Sequence, residues 1–334
     1  MPRNINLALN FLETQWSSIN DNKAKGVIAE IRLKEYLGLE NITRLYSQVI
    51  PGGWIVAPGC VWEGCHDPTL SRIAVIPNFT EFNWSGHIQR HSFTAQVTAT
   101  TYFGQAGIPV YFVDFAGNIN DYIDKFVLPS SGNYPTPYPL IFKTVGANEL
   151  EEVTVSEMMR SFKPRNGNIG MRAYKTGRLN VNVEPWNNAS TVTELFWKEY
   201  VRYFLQKRYL VSNNDIDFFI VGNSRRAYPV ELKSKTCVTG DTVTGDWFGL
   251  DAGTFVKLAF FVTAGNNMDA IYVVEEVNAQ NQHLFWWGIK FSSVINGCSW
   301  VTQGGGTGMT GGNSTTIKIP KSLFSSLDTL LPTL

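Results

Sequence analysis

Residues 215–236 read DIDFFIVGNSRRAYPVELKSKT, two apolar runs joined by a polar turn, and how they pair decides the fold. Alternate side chains of a strand share a face, so Asp215 and Asp217 lie on one side of the first run and Ile216, Phe218 and Ile220 on the other. In the second run Glu231 and Lys233 share a face, with Val230 and Leu232 opposite. A turn centred near Ser224 sets Asp217 across from Glu231 and Asp215 across from Lys233. Two adjacent carboxylates at the edge of an apolar core repel each other, and one is neutralised unless a cation keeps both ionised. A hard divalent ion such as Mg2+ does this through oxygen ligands while keeping several waters. An ammonium beside it, that of Lys233, can orient a water and offset negative charge that develops during a reaction.

Outward from the hairpin, TVTELFWKEYVRYFLQKRY (191–209) predicts a helix, with Glu194 and Lys198 at i,i+4. DAGTFVKLAFFVTAG (251–265) predicts a second helix and DAIYVVEEV (269–277) a strand. The order helix, strand, strand, helix, strand describes an α/β core. Near the start, DNKAKGVIAEIRLKEYLGLE (21–40) predicts a helix with Val27, Ile28, Ile31 and Leu37 near one face, Asp21 as cap and Gly38 as stop. Between about 45 and 185 the pattern changes to short runs punctuated by Gly, Pro and Asn. GGWIVAPG, SRIAVIPN, AQVTATTYF and IPVYFVDF all read as strands there, and LEEVTVSEMMRSF (150–162) as a helix. TQGGGTGMTGGN (302–313) reads as a connection between two strands and KSLFSSLDTLL (321–331) as a closing helix. The sequence shows no internal repeat.

DIDFFIV followed by VELKSK resembles the PD-(D/E)xK nuclease superfamily, which includes most type II restriction endonucleases. The likeness runs over residues 191–277 together with the helix at 21–40, and it leaves the middle third unmatched. Ile216 stands where the family's name has Pro, a position that is loose within the superfamily. The resemblance implies an α/β fold with a PD-(D/E)xK restriction-endonuclease-like core, a mixed central sheet flanked by helices, carrying a large β-rich insertion. It implies Asp217 and Glu231 as Mg2+ ligands and Lys233 as the catalytic lysine. A further Glu is expected from a helix before the hairpin. GVIAE, with Gly one turn ahead of the acid, points to Glu30; helical geometry alone does not separate it from Glu35, and Glu194 and Glu199 compete from the helix next to the hairpin. The corresponding division of the chain is an N-terminal helical part of the core at 1–45, a β-rich DNA-recognition region at 46–185, and a catalytic core with C-terminal extension at 186–334.

The expected activity is Mg2+-dependent, site-specific hydrolysis of phosphodiesters in double-stranded DNA. Cutting both strands of a symmetric site implies a homodimer, and the restriction reading implies a cognate DNA methyltransferase in a prokaryotic cytoplasm. Two alternatives are a structure-specific or repair nuclease on the same core, and a non-catalytic β-rich DNA-binding or structural protein.

Composition bears on these readings. Charged residues are 17% of the chain, aromatics 13%, and the formal net charge is zero, so a polyanion must be met by a local basic patch. Arg160, Lys163, Arg165, Arg172, Lys175 and Arg178 form such a patch between Met158 and Val183, interleaved with Phe162 and Tyr174 and free of acids. Arg225 and Arg226 at the hairpin turn are either a solvated pair or a phosphate clamp. Cys60, Cys65, His87 and His91, with His66 between the pairs, are ordered like a two-Cys, two-His structural Zn2+ site. The gap from 66 to 86 exceeds the usual spacing of about a dozen, and buried thiols with polar histidines are the alternative. Four cysteines, these and Cys237 and Cys298, are too few for a disulfide scaffold. The Gly-rich run at 304–312 lacks the lysine of a phosphate-binding loop, and Trp286 and Trp287 alternate as core and interface. No run reaches the roughly 20 apolar residues of a membrane span, and the first residues lack a signal-peptide pattern.

Overall fold

The computed structural model describes residues 5, 6, 8, 9, 12, 21–39, 48–58, 72–82, 88–115, 140–164, 186–209, 211–224, 226–264, 269–298, 300–304 and 315–334, not every side chain among them. In chain order the elements are α1 (Asp21–Leu39), β1 (Gln48–Pro51), β2 (Trp54–Pro58), β3 (Ile73–Pro77), β4 (Phe79–Phe82), β5 (Ile88–Arg90), α2 (Phe93–Gln105), β6 (Val110–Phe115), β7 (Leu140–Val145), β8 (Leu150–Val153), α3 (Val155–Met158) and α4 (Ala189–Arg208). They continue with β9 (Val211–Asp215), β10 (Phe218–Val221), β11 (Ala227–Lys235), β12 (Val238–Asp241), β13 (Gly245–Asp251), α5 (Ala252–Ala264), β14 (Ile271–Val277), β15 (His283–Lys290), α6 (Phe291–Gly297), β16 (Thr302–Gly304), β17 (Thr315–Pro320), β18 (Ser325–Ser326) and α7 (Leu327–Leu330). This is a mixed α/β architecture with mixed sheets. Among the described residues no helix is long and apolar enough to cross a membrane.

The chain forms two compact units, one of Met1–Ile28 with Pro51–Asp215 and one of Ala29–Ile50 with Ile216–Leu334. The boundary differs from the one drawn at 186 from sequence pattern, and α4 groups with the first unit. Aromatic packing accounts for that: Phe196, Trp197, Tyr200 and Phe204 are all buried, and the Phe204 ring lies 5.9 Å from Phe142 of β7.

In the first unit the sheet order is β8-β7-β6-β3-β2-β9. The step from β3 to β6 is parallel and bridged by α2; the other steps are antiparallel. The run AQVTATTYF, expected as a strand, is the body of α2. Its β-branched residues favour a strand locally, but Ala95, Gln96, Ala99, Tyr102 and Phe103 bury one helical stripe, and the Ser92 hydroxyl caps the helix by accepting from the Ala95 N–H. Conversely, LEEVTVSEMMRSF is mostly not helical: Leu150–Val153 pairs with β7 as a strand, and only the turn α3 follows, capped by Thr154.

In the second unit the sheet order is β1-β10-β11-β14-β15-β18, with β11 and β14 parallel and bridged by α5. A four-stranded sheet, β12-β13-β17-β16, accompanies it. Alternation gives the central sheet two apolar faces. Val230, Leu232, Ile271 and Val273 pack with Ala29, Leu33 and Leu37 of α1, while Tyr272 and Val274 pack with Leu258 of α5 and with Phe248, Leu250, Ile317 and Ile319. Each fully buried Val, Leu, Ile or Phe among them contributes ~1.5–3 kcal/mol. The inward stripe of α1 is therefore Ala29, Leu33 and Leu37 at i, i+4 and i+8, with Ile28 and Ile31 only half-buried. Gly222 at the hairpin turn accommodates Leu334, whose backbone carbon would lie 2.5 Å from an added Cβ. The expected closing helix is broken into 3-10 turns, β18 and α7, because Ser325 and Ser326 are drawn into pairing with Gly288 and Trp287 of β15.

Candidate functional site

The β10–β11 hairpin pairs Phe218 with Val230, Phe219 with Pro229, Ile220 with Tyr228 and Val221 with Ala227, closed by the Gly222 N–H donating to the Arg226 carbonyl at 2.9 Å. Extended by one residue, this register sets Asp217 opposite Glu231. Asp217 lies just ahead of β10, and its Oδ2 accepts the Leu232 N–H at 2.6 Å, which ties the carboxylate to β11. Asp215 does not follow. It ends β9 and pairs with Trp54 of β2 in the first unit, so the expected Asp215–Lys233 pairing is absent: the chain changes sheets between Asp215 and Phe218.

Glu231 is buried at 3% side-chain exposure, and both its oxygens accept from ammonium groups. Lys233, two residues along the same strand face, places Nζ 2.7 Å from Oε1. Lys257 of α5 donates to Oε2. Burial pushes the Glu231 carboxyl up, but the charges of Lys233 and Lys257 outweigh it and hold the group below its ordinary value. Asp217 goes the other way, pushed up to about 7 by burial and then by the neighbouring charges of Glu231 and Glu30, against the pull of the two lysines. For Lys233 burial pulls the ammonium down, while Glu231 and Asp217 raise it well above the usual lysine range. Lys233 is therefore a fixed positive charge. Lys235, next on that face, is lowered by burial, only partly offset by Asp251.

Of the competing acids, Glu30 is the one whose negative charge adds to the raising of Asp217, after burial and Glu231. Glu35, one and a half turns on, is exposed. Glu199 belongs to the first unit, where Arg202 stands 3.6 Å away, and the Glu194 side chain lies outside the described residues. The helix that carries Glu30 is pinned to β14 by Arg32, whose Nη1 donates to the buried Glu275 Oε1 at 2.9 Å.

Asp217 and Glu231 fit a Mg2+ ion chemically. Both are hard oxygen donors side by side on the hairpin, and the Asp217 carboxyl is raised first by burial and then by the negative charges of Glu231 and Glu30, a repulsion that a cation relieves. An ion held by two carboxylates would keep several waters, as Mg2+ ordinarily does.

The remaining expected residues are more scattered. Arg160, Lys163 and Arg226 are exposed; Arg165, Arg172, Lys175, Arg178 and Arg225 lie outside the described residues. Phe162, which is interleaved with the basic residues, is buried in the core. Of the zinc-like set only His91 is described, and it is buried; Cys60, Cys65, His66 and His87 lie outside the described residues. Trp286 is buried, and Trp287 donates its indole N–H to Glu276 Oε2 at 2.6 Å. Sequence reasoning missed Lys257. Its signal was present: it is the one charged residue between Ala252 and Ala264.

Comparison with protein-family models, with curated proteins and with solved structures returns no match to this chain.

Proposed function

We propose that the chain is a Mg2+-dependent endonuclease that hydrolyses phosphodiesters in double-stranded DNA, with a PD-(D/E)xK-type centre in the second unit and the site-specific action of a type II restriction enzyme. The observation that carries this reading is the side-by-side placement of Asp217 and Glu231, with Lys233 Nζ 2.7 Å from Glu231 Oε1, on a hairpin followed by a helix and a parallel strand. Asp217 and Glu231 would hold the ion, and Glu30 would add negative charge beside Asp217. When bound, the ion supplies Lewis acidity to a phosphoryl oxygen and lowers the cost of forming hydroxide. The fixed charge of Lys233 orients the attacking water and offsets charge building on the phosphate. Burial of Glu231 strengthens each of these interactions.

One such centre per chain cuts one strand, so cleavage of both strands of a symmetric site calls for a homodimer, and a cognate DNA methyltransferase would protect the host's own sites. The test is incubation of plasmid or phage DNA with the protein in Mg2+ and in EDTA, beside Lys233→Ala. Discrete Mg2+-dependent fragments that the variant fails to give are expected. A smear or nicking would favour a repair or branch-specific nuclease. No cleavage of any substrate, with variant and parent alike, would leave a binding protein.

A further inference from the structure

Lys257 sits on α5 among apolar neighbours, Phe255 and Leu258 being part of the core on that side of the sheet. A lysine there could extend along the helix toward solvent, as long charged side chains ordinarily do. Instead its ammonium is seated on Glu231 Oε2, although Lys233 already pairs with Oε1 of the same carboxylate. Neutralising Glu231 needs one positive charge, and burying a second ammonium carries a desolvation cost. The second charge becomes intelligible against the whole cluster: Asp217, Glu231 and Glu30 stand against Lys233 and Lys257. Lys257 supplies, from a helix rather than from the hairpin, positive charge at a carboxylate oxygen that a cation would otherwise claim.

We propose that Lys257 is a positioning residue that stands in for the divalent ion at Glu231. In the ion-free protein it holds Oε2 and keeps the carboxylate in place beside Asp217; on binding, the ion must compete with it for that oxygen. Lys257 thereby makes cation binding weaker than the carboxylates alone would set, while the site stays formed in its absence. This rests on the reading of Asp217 and Glu231 as ion ligands.

The test is titration of the DNA-free protein with Mn2+, followed by electron paramagnetic resonance of the free ion and by calorimetry, near about pH 8 so that carboxylates are ionised. Lys257→Met, Lys257→Gln and Lys257→Arg are compared with the parent, and Glu231→Gln identifies the site. Removing a competing, repelling charge at this range should tighten Mn2+ binding about tenfold or more in Lys257→Met and Lys257→Gln. Lys257→Arg should return it toward the parent. The ion-free melting temperature should fall in Lys257→Met, and the rise on adding Mn2+ should be larger than in the parent. A lysine that only braces the fold would lower the melting temperature without tightening Mn2+, and that result overturns the proposal while leaving the nuclease reading intact. If neither the parent nor any Lys257 variant shows Mn2+ binding that Glu231→Gln abolishes, both readings fall. Circular dichroism identifies a variant that does not fold, and the near-isosteric Lys257→Gln then carries the test.

Discussion

The two units use one succession of elements for different chemistry. In the first, β2 and β3 pair antiparallel, the small hairpin β4–β5 follows, and α2 leads to β6, parallel to β3, which pairs antiparallel with β7. In the second, β10, β11, the hairpin strands β12–β13, α5, β14 and β15 repeat that order with the same sense of pairing at each step. The difference lies in a few side chains. Asp217 stands directly ahead of β10, whereas Gly53 stands directly ahead of β2, where an added Cβ would meet the Val75 carbonyl oxygen at 2.1 Å. Val230 and Val75 each pair with the first residue of the preceding strand; the next residue is Glu231 in one unit and Ile76 in the other, and two further on stand Lys233 and Asn78.

Even the helix contact has a counterpart. Lys257 of α5 reaches Glu231, and Gln96 of α2 donates to Asn78 Oδ1 at 2.6 Å. Asn78 in turn donates to the buried Asp114 at 3.3 Å, which Arg90 grips through Nε at 2.7 Å and Nη2 at 3.2 Å, with Lys143 at 3.6 Å. In the first unit Gln96, Asn78, Asp114, Arg90 and Lys143 thus form one connected polar network. In the second, Asp217 stands opposite Glu231, whose two oxygens are held by Lys233 and Lys257. A sheet order sets where strand ends and the crossing helix meet; which residues stand there decides what that meeting place can do.

The comparison can be broken most sharply at its charged end. Glu231→Gln and Lys233→Ala should each reduce DNA cleavage by ~10³-fold, and Glu231→Gln should also abolish Mn2+ binding that Asn78→Ala retains, both read by single-turnover kinetics and calorimetry. Next in size, Gly53→Ala should destabilise the protein by about 3 kcal/mol in urea unfolding, because backbone rather than a mobile side chain meets the new Cβ. An unchanged midpoint would show that a side chain can stand ahead of β2 as it does ahead of β10. Asp114→Ala should cost about 2 kcal/mol, the usual penalty for a broken buried pair being reduced because the Arg90 side chain is 49% exposed. That loss should leave Mn2+ binding unaltered.

A separate effect concerns pH in the ion-free protein. The Asp217 carboxyl is raised from its ordinary 3.8 to about 7, so the folded protein binds that proton more tightly than the unfolded chain. Its contribution to stability is therefore present at low pH, declines as pH rises from about 4 to about 7, and is flat above. Asp217→Asn should remove that slope in urea midpoints taken across the range. Glu231, held below its ordinary 4.5, acts in the opposite sense and in a lower window, its contribution being lost as pH falls through its folded value.

Much of the hairpin was legible because strand alternation is a local consequence of backbone geometry. It set Glu231 and Lys233 on one face, opposite Val230 and Leu232, whatever the remainder of the chain did. The helices at 21–39, 189–208 and 252–264 were legible for the same reason, as apolar residues recurring at helical spacing. AQVTATTYF was misread because its β-branched residues speak for a strand locally, while burial of Ala95, Ala99, Tyr102 and Phe103 rewards a helix. The repeated succession of elements was invisible, since the same pairing scheme is satisfied by different apolar residues in the two units.

What the sequence by itself determined is the alternation of charge and apolar residues along β11, the pairing partner of Asp217 across a short turn, and the main helices around them, all set by contacts a few residues apart. Only the tertiary structure decided that Asp215 joins another sheet, that the negative charge of Glu30 bears on Asp217, and that Lys257 comes to rest on Glu231. Those outcomes depend on which face of a helix packs on which face of a sheet, a choice made by the burial of many apolar side chains at once and carried by no single stretch of the chain.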